Sequence, residues 1–157
     1  NPSRIGIQVG GLKVAGKKRP VAKQTNSKPV RGWRAGGTAT LAAGDGTLIL
    51  RSTGGDPQIV LAGKLNLAGG PFTVSIRLKT TKPTNKMLVF CNPPFKRGGF
   101  TNFGNVTSGS WQELSGRFET EKLTGLRFDP LTSMGRAEID WIRVADQEGE
   151  LIKEWSF

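Results

Sequence analysis

Short runs of alternating apolar and polar residues constrain the fold of this chain more than any other feature. From about Trp33 onward they are interrupted by Gly, Pro, Asn or Asp every 8 to 12 residues. In the clearest run, residues 72–79 (FTVSIRLK), apolar side chains occupy every second position, as in a strand with one buried face. No segment shows ten residues of helical period with caps. The sequence therefore predicts an all-β, antiparallel, two-sheet β-sandwich.

The turn residues divide this region into about nine predicted strands. Gly44-Asp45-Gly46 and the stretch 54–57 (GGDP) have the composition of turns. The clearest predicted strands are residues 47–53, 58–61, 72–79, 86–91, 111–118, 123–128, 135–144 and 151–157.

The apolar pattern changes parity inside residues 135–144. Ala137, Ile139 and Trp141 alternate, whereas Ile142 falls on the other parity. A single extra residue in one strand has this effect, so the pattern predicts a β-bulge near Asp140-Trp141.

The positive charge is concentrated at the N terminus. Of the net charge of +11, residues 1–37 contribute nine basic and no acidic side chains, and the remaining residues contribute fourteen basic and twelve acidic ones. Residues 13–29 are polar and basic and have no apolar period, which is typical of a linker. The sequence predicts a basic N-terminal linker or arm over residues 1–30 and a β-sandwich module over residues 31–157. Nucleic-acid binding through the arm is the less favoured alternative.

The composition argues against catalysis by this chain. There is no His to move protons near neutral pH, and Cys91 is the only cysteine, so neither an internal disulfide nor a cysteine metal cluster can form. No run of 18 apolar residues could cross a membrane. The chain starts at Asn1 rather than at an initiator Met, which suggests a processed or excised piece.

Three carboxylates are candidates for a structural or metal-binding role. Asp56 and Asp129 each precede a proline, where an Asp favours a turn and can accept hydrogen bonds from backbone N–H groups. Asp140 lies at the predicted bulge. The favoured interpretation is structural, with no cofactor; the alternative is a structural calcium, which prefers carboxylate and carbonyl oxygens.

Residues 90–105 (FCNPPFKRGGFTNFGN) are predicted to be a long loop. In the favoured interpretation, at least two of its three later phenylalanines close one end of the core. The alternative is ligand contact, because aromatic rings can stack on sugars, while amides and cations bind hydroxyl, sulfate or carboxylate groups. The candidate ligand-binding residues in this loop are Phe95, Lys96, Arg97, Phe100, Asn102 and Phe103.

Outward-facing cations on separate strands offer a second candidate surface. If the strands are neighbours, these cations form a basic face suited to an anionic polysaccharide; the favoured alternative is an ordinary solvated sheet face. Of the four tryptophans, Trp111 has the weakest claim to the core because it follows Ser108-Gly109-Ser110. The cations are Arg51, Arg77, Lys79, Arg117 and Arg127, and the candidates taken as ligand contacts are Arg77, Lys79 and Trp111.

Several of these segments resemble one known type of module. The order W-R-A, L-x-L-x-S-T-G-G-D-P, F-T-V-x-I-R-L-K, S-W-Q-E-L, L-R-F-D-P and A-E-I-D-W-I-R-V is similar to the galactose-binding-like jelly roll of bacterial carbohydrate-binding modules. More narrowly, it resembles the non-catalytic C-terminal β-sandwich of certain secreted bacterial sulfatases and related polysaccharide-degrading enzymes. The resemblance covers about four-fifths of the chain and leaves out residues 1–30.

The resemblance implies a secreted or periplasmic accessory module without activity of its own. A sulfatase needs a Cys-x-Pro-Ser-Arg signature, from which residues 91–95 (CNPPF) depart at the last two positions. The expected partners are a polysaccharide, in particular a sulfated one, and a parent catalytic domain, with no membrane. The alternative is a purely structural sandwich that packs on that domain. Modules of this type often carry a structural calcium, for which Asp56, Asp129 and Asp140 are the candidate ligands.

Overall fold

A computed structural model of the chain describes residues 28–96 and 99–157. The predicted arm over residues 1–30 therefore lies almost entirely outside the described residues. The described residues contain eleven strands and no helix, which confirms the all-β prediction. The strands are β1 (Trp33–Ala43), β2 (Leu48–Leu61), β3 (Leu67–Ala68), β4 (Phe72–Thr80), β5 (Leu88–Cys91), β6 (Phe100–Asn102), β7 (Gln112–Phe118), β8 (Lys122–Leu123), β9 (Leu126–Asp129), β10 (Gly135–Ala145) and β11 (Leu151–Ser156).

Nine of these strands form one antiparallel hydrogen-bonded sheet that folds over into two layers. Its order is β6-β5-β9-β2-β10-β4-β7, with β1 on β2 and β11 on β10. The fourteen-residue β2 belongs to both layers, because residues 48–52 pair with β10 whereas residues 59–60 pair with β9. We call the two halves the β4 layer (β10, β4, β7) and the β9 layer (β9, β5, β6). Strands β3 and β8 form a separate pair.

The core lies between the two layers. In β4 the residues at even positions are buried and those at odd positions are half-buried, as the alternation predicts. Phe128 of β9 sits at the centre, with its ring edge-on to Trp33 at 5.7 Å and to Phe103 at 6.4 Å between centroids. Such edge-to-face contacts add to the burial of large apolar rings.

The predicted bulge in β10 is confirmed. Its pairing with β4 shifts register between Ile139 and Trp141. The shift leaves Asp140 at the irregular position, and its carboxylate accepts a hydrogen bond from Arg77 at 3.0 Å.

Two predictions of strand boundaries are wrong. Residues 54–57 (GGDP) do not end a strand: β2 runs through them as a bulge, because four residues of β2, 53–56, lie opposite the single residue Thr38 of β1. The predicted strand 123–128 is two strands, because the chain leaves β8 and enters β9 across Thr124-Gly125. Gly125 packs so closely that a Cβ there would lie 2.8 Å from Cδ of Pro93.

The approach of β1 to β2 at Gly37 requires glycine. This residue has φ +62°, and a Cβ built on it would lie 1.8 Å from the carbonyl oxygen of Asp56. Side chains rarely adopt this backbone conformation, and the contact is with backbone that cannot rotate away.

Gly37→Ala is therefore expected to lower the free energy of unfolding by on the order of 1–3 kcal/mol, since it combines backbone strain with a steric clash. Urea denaturation followed by tryptophan fluorescence measures the change. Gly63→Ala is the matched control, because a Cβ at Gly63 meets nothing within 4 Å. Equal effects of the two substitutions would contradict the prediction.

Candidate functional site

The outer face of the β9 layer carries a cluster of phenylalanines. Phe90 of β5 contacts Phe95 and Phe100 edge-on, at centroid distances of 6.4 Å and 5.7 Å. Phe90 and Phe100 are register partners on β5 and β6, so their side chains share one face. Phe90 is 6% exposed and Phe100 is 41% exposed, so Phe100 presents its ring to solvent.

Arg127 covers the inner member of this cluster. Its guanidinium carbon lies 4.5 Å from the centroid of the Phe90 ring. The same guanidinium donates two hydrogen bonds to Asp129, from Nε at 2.8 Å and from Nη2 at 2.7 Å. Asp56 lies 3.9 Å from Nη2 on the other side. The result is a planar, bidentate pair fixed against an aromatic ring.

Burial raises the pKa of Asp129 above its usual value. The hydrogen bond and the charge of Arg127 oppose this rise, and the nearby charge of Asp56 adds to it. Desolvation disfavours the charged carboxylate, and Arg127 only partly offsets that effect.

Asn92 fixes the start of the loop that carries Phe95. It has φ +60° and follows directly after β5. Its amide nitrogen donates to the carbonyl oxygen of Lys122 at 2.8 Å, and its amide oxygen accepts from the backbone N–H of Thr124 at 2.7 Å. Asn92 is therefore a structural anchor between the loop and β8.

A groove of ≈ 330 Å³ opens beside Phe100, between the edge of β6 and the end of β7. We call it the Phe100 groove. Thr101 closes its floor with a hydrogen bond to the carbonyl oxygen of Arg117 at 3.5 Å. Cys91 also lines the groove, and burial raises the pKa of its thiol, which keeps it protonated and weakly reactive. The groove is lined by Cys91, Phe100, Thr101, Arg117, Glu119 and Thr120.

The three candidates on the β4 layer do come together. The guanidinium carbon of Arg77 lies 5.3 Å from the centroid of Trp111, and Nζ of Lys79 lies 5.0 Å from it. Both cations also meet acids of β10: Arg77 pairs with Asp140 at 3.0 Å and Lys79 with Glu138 at 3.7 Å. The two cations already cover the Trp111 ring.

The less favoured interpretation of the five outward cations, a single basic face, is not what the structure shows. Arg127 lies on the β9 layer, away from the four other cations, which belong to β2, β4 and β7. On the β4 layer, acids of β10 pair with Arg77 and Lys79, and Glu119 pairs with Arg117. The order of the strands places acidic side chains between the basic ones, and this order cannot be read from the sequence alone.

The candidates from residues 95–103 have different locations. Phe103 is 6% exposed and packs on Phe118 and Phe128, so its prediction as a ligand contact is wrong. Asn102 is exposed and accepts a hydrogen bond from the backbone N–H of Gly104 at 2.9 Å. Lys96 is exposed, and Arg97 lies outside the described residues.

The favoured interpretation of this loop, that at least two of its phenylalanines close the core, is wrong. Of Phe95, Phe100 and Phe103, only Phe103 belongs to the core cluster.

The structure does not bring the three candidate calcium ligands together. Asp56 and Asp129 flank Arg127, whereas Asp140 pairs with Arg77 on the other layer. Within residues 28–96 and 99–157 there is no group of three His, Cys, Asp or Glu side chains that could hold a metal ion. Asp129 ends β9 before Pro130, as a turn-former would, but Asp56 lies inside β2.

Sequence reasoning missed Phe90 and the groove-lining residues Glu119 and Thr120. Phe90 lies in an apolar run, MLVFC, where nothing separates a core ring from a surface ring. Only its pairing with Arg127 on β9 shows that Phe90 lies on the outer face, and the sequence does not reveal this pairing. Arg117 was identified as an outward cation, but its position beside Phe100 depends on how the two layers fold.

The architecture is an all-β jelly-roll sandwich with an exposed aromatic ring beside a groove, and its fold is similar to that of solved carbohydrate-binding modules. No sequence profile of a known protein family matches the chain, and no curated protein sequence matches it. The comparison therefore rests on solved structures.

Three of these structures illustrate the similarity. One is CsCBM6-3 from Clostridium stercorarium in complex with cellobiose, at 16% identity and a TM-score of 0.50, covering 79% of this chain and 92% of that one. Another is a family 29 carbohydrate-binding module from Piromyces equi, at 16% identity and a TM-score of 0.50, covering 80% and 81%.

The third contains a CBM22 module and a GH10 module of Clostridium thermocellum xylanase 10B, complexed with xylohexaose. It has 16% identity and a TM-score of 0.56, covering 79% of this chain and 28% of that one. Identities this low establish the fold and nothing finer. The sulfatase resemblance stays a prediction.

The pKa of Asp129 gives a test of the Arg127 pair. Arg127→Gln is expected to raise this pKa further, because it removes the hydrogen bond and the charge that lower it. Asp56→Asn is expected to lower it, since it removes a like charge. Carboxyl-carbon NMR titration measures both changes.

The same titration fixes the sign of a stability effect. Because the folded pKa of Asp129 is raised above its ordinary value, Asp129 contributes stability that is fully present below the unfolded pKa. That contribution is lost as the pH rises through the folded pKa. An unchanged Asp129 pKa in Arg127→Gln would contradict the assigned cause.

Proposed function

We propose that residues 31–157 are a non-catalytic polysaccharide-binding module, an accessory domain of a secreted sulfatase or related polysaccharide-degrading enzyme, with an anionic, sulfated glycan as its ligand. The fold supports the class of function, and the resemblance of residues 48–57 and 126–130 supports the kind of parent enzyme. The observation that carries the binding proposal is the exposure of Phe100 at the rim of a polar groove.

The Phe100 groove has the two elements that sugar binding needs. The exposed ring supplies an apolar face for the C–H surface of a pyranose, and Thr101 and Thr120 supply hydroxyl groups. Its volume falls in the range of small-ligand sites, roughly 300–1,000 Å³. Phe90 packs edge-on against Phe100 and is itself packed against Phe95, which limits the side-chain order that a ligand must impose.

Arg117 accounts for the preference for an anionic ligand. Its Nε hydrogen-bonds a carboxylate oxygen of Glu119, and both side chains are more than half exposed. Exposed ion pairs of this kind contribute little to stability, so exchanging the partner costs little. A guanidinium can bind two oxygens of a sulfate ester at once.

The absence of catalysis is consistent with the groove itself. Among the described residues that line it, Glu119 is the only carboxylate. Glycoside hydrolysis ordinarily uses two carboxyl groups placed across the scissile bond. The groove is thus suited to holding a sugar and lacks the pair that would cleave it.

Phe100→Ala is expected to weaken binding to a sulfated polysaccharide about tenfold, through loss of the stacking face. Affinity gel electrophoresis with carrageenan, fucoidan or heparin in the gel measures it, with neutral agarose as a comparison. Met134→Ala is the control, because Met134 is also an exposed apolar residue, at 64% exposure, and it lies just before β10, away from the residues that line the groove. Arg117→Gln is expected to weaken binding to the sulfated polymers more than to the neutral one.

The outcomes separate the leading function from its alternative. If the unmodified protein is retarded by none of these polysaccharides, the binding proposal fails, and a structural sandwich that packs on a catalytic domain becomes the better account. Retardation that Phe100→Ala leaves intact would place the glycan elsewhere on the module.

A further inference from the structure

A second pocket lies at the other end of the β4–β7 pair. It has a volume of ≈ 360 Å³ and forms where β4 ends, where β10 begins and where residues 108–109 lead into β7. Arg117, which lines the Phe100 groove, is the register partner of Thr73 near the start of β4. The second pocket begins at Lys79, near the end of β4. Six residues of strand separate them by about 20 Å. The pocket is lined chiefly by Lys79, Thr80, Thr81, Ser108, Arg136 and Glu138.

One wall of this pocket contains an unsatisfied donor. Nε of Arg136 is buried and has no hydrogen-bond partner in the described part of the chain. The other arm of the guanidinium is occupied, since Nη2 lies 2.9 Å from Oε1 of Glu138. A buried donor without a partner is destabilising, and native structures rarely leave one unless water or a ligand completes it.

The positive charges around the pocket exceed the negative ones. Arg51 lies directly across from Arg136 in the pairing of β2 with β10, so the two side chains share the outer face. Like charges at opposed positions repel. Arg51 has no ion pair within residues 28–96 and 99–157, and Lys79 and Arg136 share one carboxylate, that of Glu138. The nearest other acid of β10, Asp140, is already paired with Arg77.

The pocket also has an aromatic neighbour. Lys79 lies between Glu138 and the ring of Trp111, 5.0 Å from the ring centroid. The loop residue Ser108 adds an exposed hydroxyl at the opposite wall. The Trp111 ring thus holds Lys79 in place at the pocket, where a charged substituent of a sugar could reach both Lys79 and Arg136.

We infer that this pocket is a second binding site, specific for the oxyanion of a charged sugar, either a sulfate ester or a carboxylate. The anion pairs with Lys79 and Arg136, the two cations that line the pocket. Arg51 does not line the pocket, but it adds positive charge from the neighbouring strand β2, while Glu138 keeps Lys79 and Nη2 of Arg136 in place. The site is separate from the Phe100 groove and does not rest on that groove binding a glycan. Two sites on one module would bind a polyanionic chain with higher avidity than either alone.

The test uses the full chain and NMR with four small probes: inorganic sulfate, glucose 6-sulfate, glucuronate and glucose, each at constant ionic strength. The anionic probes are expected to shift the backbone amides of Gly109 and Arg136 and the Nε–H signal of Arg136 in a saturable way, whereas glucose is not. If glucose 6-sulfate is the one sugar that shifts these signals, the site is specific for a sulfate ester. If glucuronate shifts them equally, the site binds oxyanions in general.

Arg51→Gln is expected to weaken binding of the anionic probes about threefold, because it removes a nearby positive charge that does not itself line the pocket. Arg34→Gln is the matched control: it removes the same charge from an exposed position on β1, in the part of that strand that pairs with residues 58–61 of β2. Because Arg51→Gln also removes a repulsion, it is expected to melt no lower than the unmodified protein, so a loss of binding cannot be ascribed to unfolding.

Two results would overturn the proposal. One is the absence of a saturable shift with every anion. The other is an equal loss in Arg34→Gln and Arg51→Gln, which would indicate a diffuse attraction to the whole positive chain. Phe100→Ala is expected to leave the shifts unchanged, so failure at this pocket and failure at the Phe100 groove are separate results.

Discussion

The structure depends on the passage of β2 from one layer of the sandwich to the other. The strand pairs with β10 through its first half and with β9 through its second, and only Gly37 on β1 lets the neighbouring chain follow it past Asp56. Because the layers are joined in this way, Phe128 of β9 can meet Trp33 of β1 across the core. The positions of both outer faces follow from that closure.

The outer faces of the two layers carry many charged side chains, but most of these charges are neutralised by neighbours of opposite sign. On the β4 layer, acids of β10 are placed opposite cations of β4, so Arg77 and Lys79 are largely neutralised. On the β9 layer, Arg127 is held by Asp129 and by the ring of Phe90. Two cations at the proposed sites are less strongly held: Arg117 beside Phe100 has only an exposed ion pair with Glu119, and Arg51, across from Arg136, has no ion pair within the described residues. The centre of each face is occupied by structural pairs.

Prediction from the sequence succeeded where the period-2 pattern had one clear solution. The strand over residues 72–79 and the bulge at Asp140 follow from side-chain parity, which depends only on local backbone geometry. It failed at residues 54–57, where Gly-Gly-Asp-Pro has turn composition and yet continues β2 as a bulge, because the segments on either side, 48–52 and 57–61, both pair with β1. It also failed for Phe103, since burial of a loop aromatic depends on what the other layer presents to it.

The sequence by itself determined the class of the fold, the alternation that buries one face of each strand, and the separation of a basic N-terminal segment from a nearly neutral module. These are local or compositional properties. Only the tertiary structure decided which candidate residues meet: it placed Phe100 with Arg117, put Arg51 opposite Arg136, and separated Asp140 from Asp56 and Asp129. Such contacts join residues far apart in the chain, and their partners are set by sheet order and register, which one sequence does not specify.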